Sequence, residues 1–404
     1  GDPLRPQRVA GEQDDGGDVS GGCGDVGAHA VSVSAACGVP ARDVGGPWFD
    51  EGMEATTEAL REQALALWAT VGCFVLGAIA GAAALWGSPR PLAGDGSVIL
   101  PAALITGVIT GAAFVVSTVM HRAGETRGMP QWQALISNLS TVAVTVALAG
   151  VAALGVLLAG EVLASGLQGL ELSAWGGGAF TGVASAIAGR LAFRVGVDLS
   201  TRDLAALLFA FLVIGTLFAM ITAGDPTWWE RNFSQLGIGD GSWAFNGTLV
   251  VAGVLVATVG SYIGRDLHRM LGDAALRRIG VVVIIWALAG AALTAVGLFP
   301  VHRMPVPHLI AAFAALALML VAAVVTTGAL PDPPRMLRIV TTALVVLVAA
   351  AVALTFGFRV FSVTVLEGIV IALVLLWLST FVQLLAVLAP DESRPSERAS
   401  LLRG

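Results

Sequence analysis

Ten apolar stretches, each long enough to cross a bilayer, run between residues 64 and 389, and they constrain the chain more than any motif in it. A hydrocarbon core about 30 Å thick is crossed by about 20 residues of helix, and backbone facing lipid must satisfy its own hydrogen bonds. Only a helix does so within one segment. The expected spans are 64–86, 98–119, 139–162, 174–193, 204–223, 244–263, 279–298, 308–328, 338–358 and 365–389. The fold class is therefore all-α, a polytopic transmembrane helix bundle. Charge content fits, because 12% charged residues is about half of what a soluble domain carries.

Residues 1–52 differ from the rest, being rich in Gly, Asp, Ser and Pro and without helical or strand periodicity, so they are expected to be a disordered acidic extension. Nine acids against three arginines give this stretch the −6 of the whole chain, while from Met53 onward 19 arginines balance 19 acids. It lacks the basic start and apolar core of a signal peptide. Met53 opens an amphipathic lead-in, MEATTEALREQALALW, and is the expected natural start. Cys23, Cys37 and Cys73 suggest neither a metal cluster nor a disulfide framework.

All 22 basic residues are arginine, and the 19 from Arg61 onward fall mostly on alternate connections. Fifteen share one side, following spans two, four, six and eight and both flanking the first span and closing the chain, whereas Arg90, Arg231, Arg303 and Arg359 hold the other. By the positive-inside rule both termini are cytoplasmic and the protein sits in the inner, or plasma, membrane. Trp86, Trp175, Trp228, Trp229 and Trp243 lie on the outer connections, where indoles favour the headgroup level. Trp286 and Trp377 lie inside spans and read as packing. The spacings Gly77–Gly81, Gly107–Gly111, Gly178–Gly182 and Gly260–Gly264 let helix backbones approach closely and argue for a compact bundle.

Chemistry-bearing residues collect on the outer side. The connection between spans five and six, GDPTWWERNFSQLGIGDGSWAFNGT, holds Asp225, Glu230, Arg231, Asn232, Ser234, Gln235 and Asp240, with Asn246 at its end. Span seven leads into LFPVHRMPVPHLIAAF, which adds His302, Arg303 and His308, and span ten opens with Arg359 ahead of it and Glu367 about one turn inside.

These segments carry, in order, N-x-S-x-L-G, F-N-G, F-P followed by H-L-x-A-A, then V-T-V-L-E-G ahead of W-L. In that order they resemble a bacterial membrane family, domain of unknown function 998, a six-span module distantly similar to the Frag1, DRAM and Sfk1 group. The matching positions run from Asn232, Ser234, Leu236 and Gly237 through Phe245, Asn246, Gly247, Phe299, Pro300 and His308 to Glu367, Trp377 and Leu378. The resemblance covers about 204–389 and implies no settled activity; the related eukaryotic groups are tied to lipid or membrane-trafficking roles. It divides the chain into the extension 1–52, a four-span module 53–203, a six-span module 204–389 and a cytoplasmic tail 390–404.

Four readings of the outer cluster stand side by side. Arg231, Arg303 and Arg359 pair with Asp225, Glu230, Asp240 or Glu367 and pin the loops. Alternatively they hold a phosphate or carboxylate, which arginine forks match bidentately, under Trp228, Trp229 and Trp243. A zinc site of His302 and His308 with Asp240 and Glu367 would resemble the ceramidase and adiponectin-receptor superfamily, but His121 and His268 lie on the other side. Lastly, Ser234 as nucleophile needs His308 as base and Glu230 or Glu367 as orienter, with no G-x-S-x-G elbow to support it.

Recognition of a lipid headgroup or small anion is the expected function, by Arg231, Asn232, Ser234, Asn246, His302, Arg303, His308, Arg359 and Glu367. A membrane-embedded lipid hydrolase or transferase using Ser234, His308 and Glu367 is the alternative, and a small-solute transporter or permease subunit a further one. Against transport, the spans carry almost no charge away from their ends, Arg190 and Glu367 coming nearest. Neither cofactor nor resident metal is expected. Partners are membrane lipids and no nucleic acid, with a homo-oligomer or a partner membrane subunit left open.

Overall fold

The computed structural model describes residues 47–122, 131–239 and 241–388. Asp240, the tail 390–404, residues 1–46 of the extension expected to be disordered over 1–52, and the cysteines Cys23 and Cys37 lie outside the described residues, whereas 47–52 are helical. Two compact units divide the chain, Gly1–Arg61 and Glu62–Gly404. Within the first, only the helical stretch from Pro47 is described.

Ten helices are long and apolar enough to cross a membrane. They are α1 (Pro47–Ala84), α2 (Ile99–Arg122), α3 (Gln131–Gly166), α4 (Ala174–Val197), α5 (Thr201–Ile221), α6 (Ser242–Leu271), α7 (Leu276–Leu298), α8 (Pro305–Ala329), α9 (Arg335–Val352) and α10 (Val363–Leu388). Each coincides with an expected span. Several overrun it by a turn or more, because helix outside the hydrocarbon costs little once polar caps replace lipid. Ser200 and Asp203 form such a cap on α5, each side chain accepting from the other's backbone N–H at 3.1 Å.

Within the second unit α2 packs on α3 and α4, α6 on α5 and α7, and α8 on α7, while α10 touches α5, α8 and α9. The four small-residue spacings are used inside the chain. A methyl on Gly178 would sit 2.7 Å from the Ala78 carbonyl oxygen, and one on Gly81 2.7 Å from Thr181 Cβ, so α1 and α4 touch almost backbone to backbone. Gly107 faces Ala149 of α3 in the same way, and Gly260 and Gly264 face Trp286 and Val283 of α7.

Hydrogen bonds between polar side chains add to this packing where no water competes. Trp286 and Trp377 are essentially unexposed, at 0% and 1%, as packing residues should be. Yet each also donates from its indole, Trp286 Nε1 to Thr326 Oγ1 at 3.0 Å and Trp377 Nε1 to Thr341 Oγ1 at 2.8 Å. Thr341 in turn meets Thr327 at 2.9 Å, so α7, α8, α9 and α10 are linked through their interior. An indole N–H in hydrocarbon without such a partner costs several kcal/mol, which is why the tryptophans and threonines co-occur.

Two ends of the bundle are chemically distinct. At the end rich in arginine, the buried Asp266 accepts from Thr201 Oγ1 and pairs with Arg265 at 3.2 Å and Arg269 at 3.7 Å. His268 Nε2 and Asp273 meet at 2.8 Å. At the opposite end the connections are tied to one another. A two-residue ribbon pairs β1 (Arg90–Pro91), between α1 and α2, with β2 (Glu171–Leu172), between α3 and α4, antiparallel with Arg90 opposite Leu172. The remaining connections of that end build the site.

Candidate functional site

The connection from α5 to α6 is short of regular structure in sequence but folded in space. Asp225 begins it by accepting from the Thr227 N–H at 2.9 Å and the Thr227 hydroxyl at 2.8 Å, a turn that a short carboxylate or amide side chain favours. Those two bonds, backbone first, hold the Asp225 carboxyl below the usual carboxylate range, and the charge of Arg231 adds a smaller push in the same direction. Two 3₁₀ turns follow, Trp228–Glu230 and Phe233–Gly237, with Trp228 resting on the Phe233 ring at a centroid distance of 5.3 Å.

The second turn is fastened on three sides. Asn246, in the first turns of α6, donates its amide to the Gly237 carbonyl at 3.3 Å. Glu367, one turn inside α10, accepts from the Phe233 N–H at 2.7 Å. Ser234 Oγ and His308 Nε2, on α8, meet at 2.8 Å. A fourth tie, from the Thr364 hydroxyl to the Trp229 carbonyl at 2.7 Å, fixes the first turn to α10 as well.

Carbonyl chemistry settles the histidine. The Phe299 carbonyl lies 2.8 Å from His308 Nδ1 and can only accept, so Nδ1 carries hydrogen. In the neutral ring Nε2 then holds a lone pair, and the Ser234 hydroxyl donates to it. His308 is 5% exposed and Ser234 half-buried.

Glu367 is not where a serine relay needs it. As orienter of His308 it would have to bond the ring, but its carboxylate is engaged by the Phe233 N–H and the Phe299 carbonyl occupies the ring's other nitrogen. Glu230 is exposed on the first turn and bonds nothing of the pair. The trio considered from sequence is thus a dyad with a backbone orienter.

The arginines behave differently from those at the other end. All three ion pairs among the described residues involve Asp266 or Asp273. Among the described residues Arg231 donates to Gln235 Oε1, at 3.3 Å, and Gln235 donates on to Asn232 Oδ1 at 3.5 Å. Arg303 and Arg359 are exposed and make no ion pair with a described acid, and His302, next to Arg303 in sequence, is exposed too. Arg359 has φ 54°, the left-handed region, where it ends the widened turn Ala353–Gly357 after α9.

Four of the groups that fasten the two turns and the histidine could not have been named from side-chain type: the Phe299, Trp229 and Gly237 carbonyls and the Phe233 N–H. Thr364 did have a signal, since it belongs to V-T-V-L-E-G. Among the described residues no three His, Cys, Asp or Glu side chains group closely enough to hold a metal ion. His302 and His308 do not form such a group with Glu367, and Asp240 lies outside the described residues.

Residues 204–383 match the model of a family described as "Protein of unknown function (DUF998)". The matched stretch contains most of α5, α6 to α9, most of α10, and every residue of the site. Comparison with curated proteins and with solved structures gives no match.

Proposed function

We propose that the DUF998-matching part of this membrane protein binds the phosphate or carboxylate of a lipid headgroup or small anion at the arginine-poor face of the bundle. One observation carries the reading. The connections bearing Arg231, Arg303 and Arg359 are drawn together by the bonds of Ser234, Phe233 and Trp229 to α8 and α10, while these guanidiniums have no described acid within ion-pair distance. A cation near a membrane interface that forms no ion pair with a described acid can take counter-charge from outside, and arginine forks suit phosphate. The excess of arginine at the other end would face the cytoplasm, so the site opens outward from the plasma membrane.

The test is the protein with Arg231, Arg303 and Arg359 all changed to Gln, compared with wild type by native mass spectrometry. Loss of bound anionic lipid equivalents relative to wild type, with unchanged melting, supports the reading, and an unchanged number of bound anionic lipids removes it. Competition by inorganic phosphate in lipid-free detergent separates a small-anion site from a headgroup site.

The 2.8 Å contact of Ser234 Oγ with His308 Nε2 favours a second reading, acyl transfer from a lipid ester. Nε2 accepts the hydroxyl proton as Oγ attacks the ester carbonyl and returns it to the departing alcohol. Water then repeats the sequence to free the acid.

A further inference from the structure

At the arginine-rich end, the lipid-facing side of α7 and α8 holds an open groove of about 390 Å³ lined by Arg278, Val281, Val325, Gly328 and Ala329. Arg278 and Val281 are one turn apart on α7, and Val325, Gly328 and Ala329 share one face of α8, so the groove runs along the seam between the two helices. Its depth comes from Gly328, since a Cβ placed there would meet nothing within 4 Å. Its walls are fixed from behind, because Thr326 accepts from the Trp286 indole at 3.0 Å on the buried side of the same seam. Four lining residues are apolar or side-chain-free, and the fifth is a cation at the level where α7 begins.

We infer that this groove seats a phospholipid with a net negative headgroup, its phosphate on Arg278 and the start of one acyl chain along Val281, Val325 and the bare Gly328 surface. Charge decides the class of occupant. Arg278 is exposed and has no described acid within ion-pair distance, Arg277 precedes it, and Arg335 and Arg338 open α9 after the turn that follows α8. Against these four cations the two adjoining connections hold Asp332 and Asp273, and Asp273 already faces His268. A zwitterionic headgroup would bring its ammonium into this excess of positive charge, whereas an anionic one adds none. The site is independent of the arginine-poor face, from which it is separated by the length of α7, one membrane-crossing helix.

The experiment uses the full chain in nanodiscs with a diazirine on the acyl chain of phosphatidylglycerol or, in parallel, of phosphatidylcholine, and maps crosslinked peptides by mass spectrometry. Wild type is expected to label the peptides holding Val281 and Val325 roughly tenfold more from phosphatidylglycerol, the ratio that one charge-assisted contact supports. Arg278→Gln brings the two lipids to parity, and Gly328→Leu, which fills open space without backbone strain, removes label from both. Arg231→Gln leaves the pattern unchanged, so failure here and failure of the proposed outer site are read separately. Equal labelling by the two lipids in wild type, a preference that survives Arg278→Gln, label that survives Gly328→Leu, or no label at these peptides each overturns the inference.

Discussion

Ser234 Oγ and His308 Nε2 lie 2.8 Å apart although 74 residues separate them in sequence, and the Phe299 carbonyl holds the far nitrogen of the same ring at 2.8 Å. One imidazole thus joins the α5–α6 connection, the end of α7 and the start of α8.

If Ser234 is a nucleophile, a fluorophosphonate probe labels it in the native membrane and Ser234→Ala removes the label. His308→Gln lowers the labelling rate by about 10²–10⁴-fold, the usual worth of a positioned general base. Glu367→Gln changes it by no more than about threefold, because Glu367 bonds the Phe233 N–H and not the ring. Absence of probe on Ser234 in active-site mapping would end the acyl-transfer reading and leave the dyad as a fastening.

As a fastening the histidine has a measurable worth. His308→Ala leaves the Ser234 hydroxyl and the Phe299 carbonyl without their partner, at about 1–3 kcal/mol for each group that water cannot reach. His302→Ala, at an exposed ring two residues past Pro300, stays within about 0.5 kcal/mol. Equilibrium unfolding in mixed micelles with graded SDS compares the two, and equal losses would show that His308 carries no such load.

Glycine substitutions should divide sharply by what faces them. Gly178→Ala drives a methyl to 2.7 Å from the Ala78 carbonyl and costs about 1–3 kcal/mol through forced separation of α1 from α4. Gly155→Ala meets nothing within 4 Å and, in a helix, gains about 0.5–1 kcal/mol. The same unfolding assay reads both, and a Gly178→Ala protein as stable as wild type would refute the close contact of these helices.

Acid titration tests the turn at Asp225. Its folded pKa lies below the unfolded value, so its stabilising contribution is complete above the ordinary carboxylate range and is lost only as pH falls through the lowered value. In protein carrying ¹³C-labelled aspartate, the Asp225 resonance, assigned by Asp225→Asn, should titrate below a free aspartate. Thr227→Ala deletes one of its two hydrogen bonds and should move that titration upward. Titration of Asp225 at the free value in the wild-type protein would contradict the turn.

The spans were readable because a bilayer makes its demand segment by segment: α5 or α8 must be apolar over its own length whatever it packs against. Glycine spacing told how closely helices approach, though only the structure says that Gly178 meets Ala78 of the same chain and not another copy. Trp286 and Trp377 were readable as interior residues but not as donors, since the threonines that receive them lie 40 and 36 residues away. In the site, Ser234 and His308 could be nominated from side-chain chemistry. The destination of Glu367 could not, because a backbone N–H is present at nearly every position and leaves no mark in the sequence.

The ribbon of Arg90–Pro91 with Glu171–Leu172 has a consequence for how the bundle is built. Its two halves flank the whole of α2 and α3, so a nascent chain must thread both across the bilayer before the stitch can close. Up to that moment no hydrogen-bonded ribbon closes that side, and afterwards the first four helices are clasped at one rim. A chain truncated after α3 would lack the second half of the clasp and leave the Arg90 strand edge bare, open to the wrong neighbour during biogenesis.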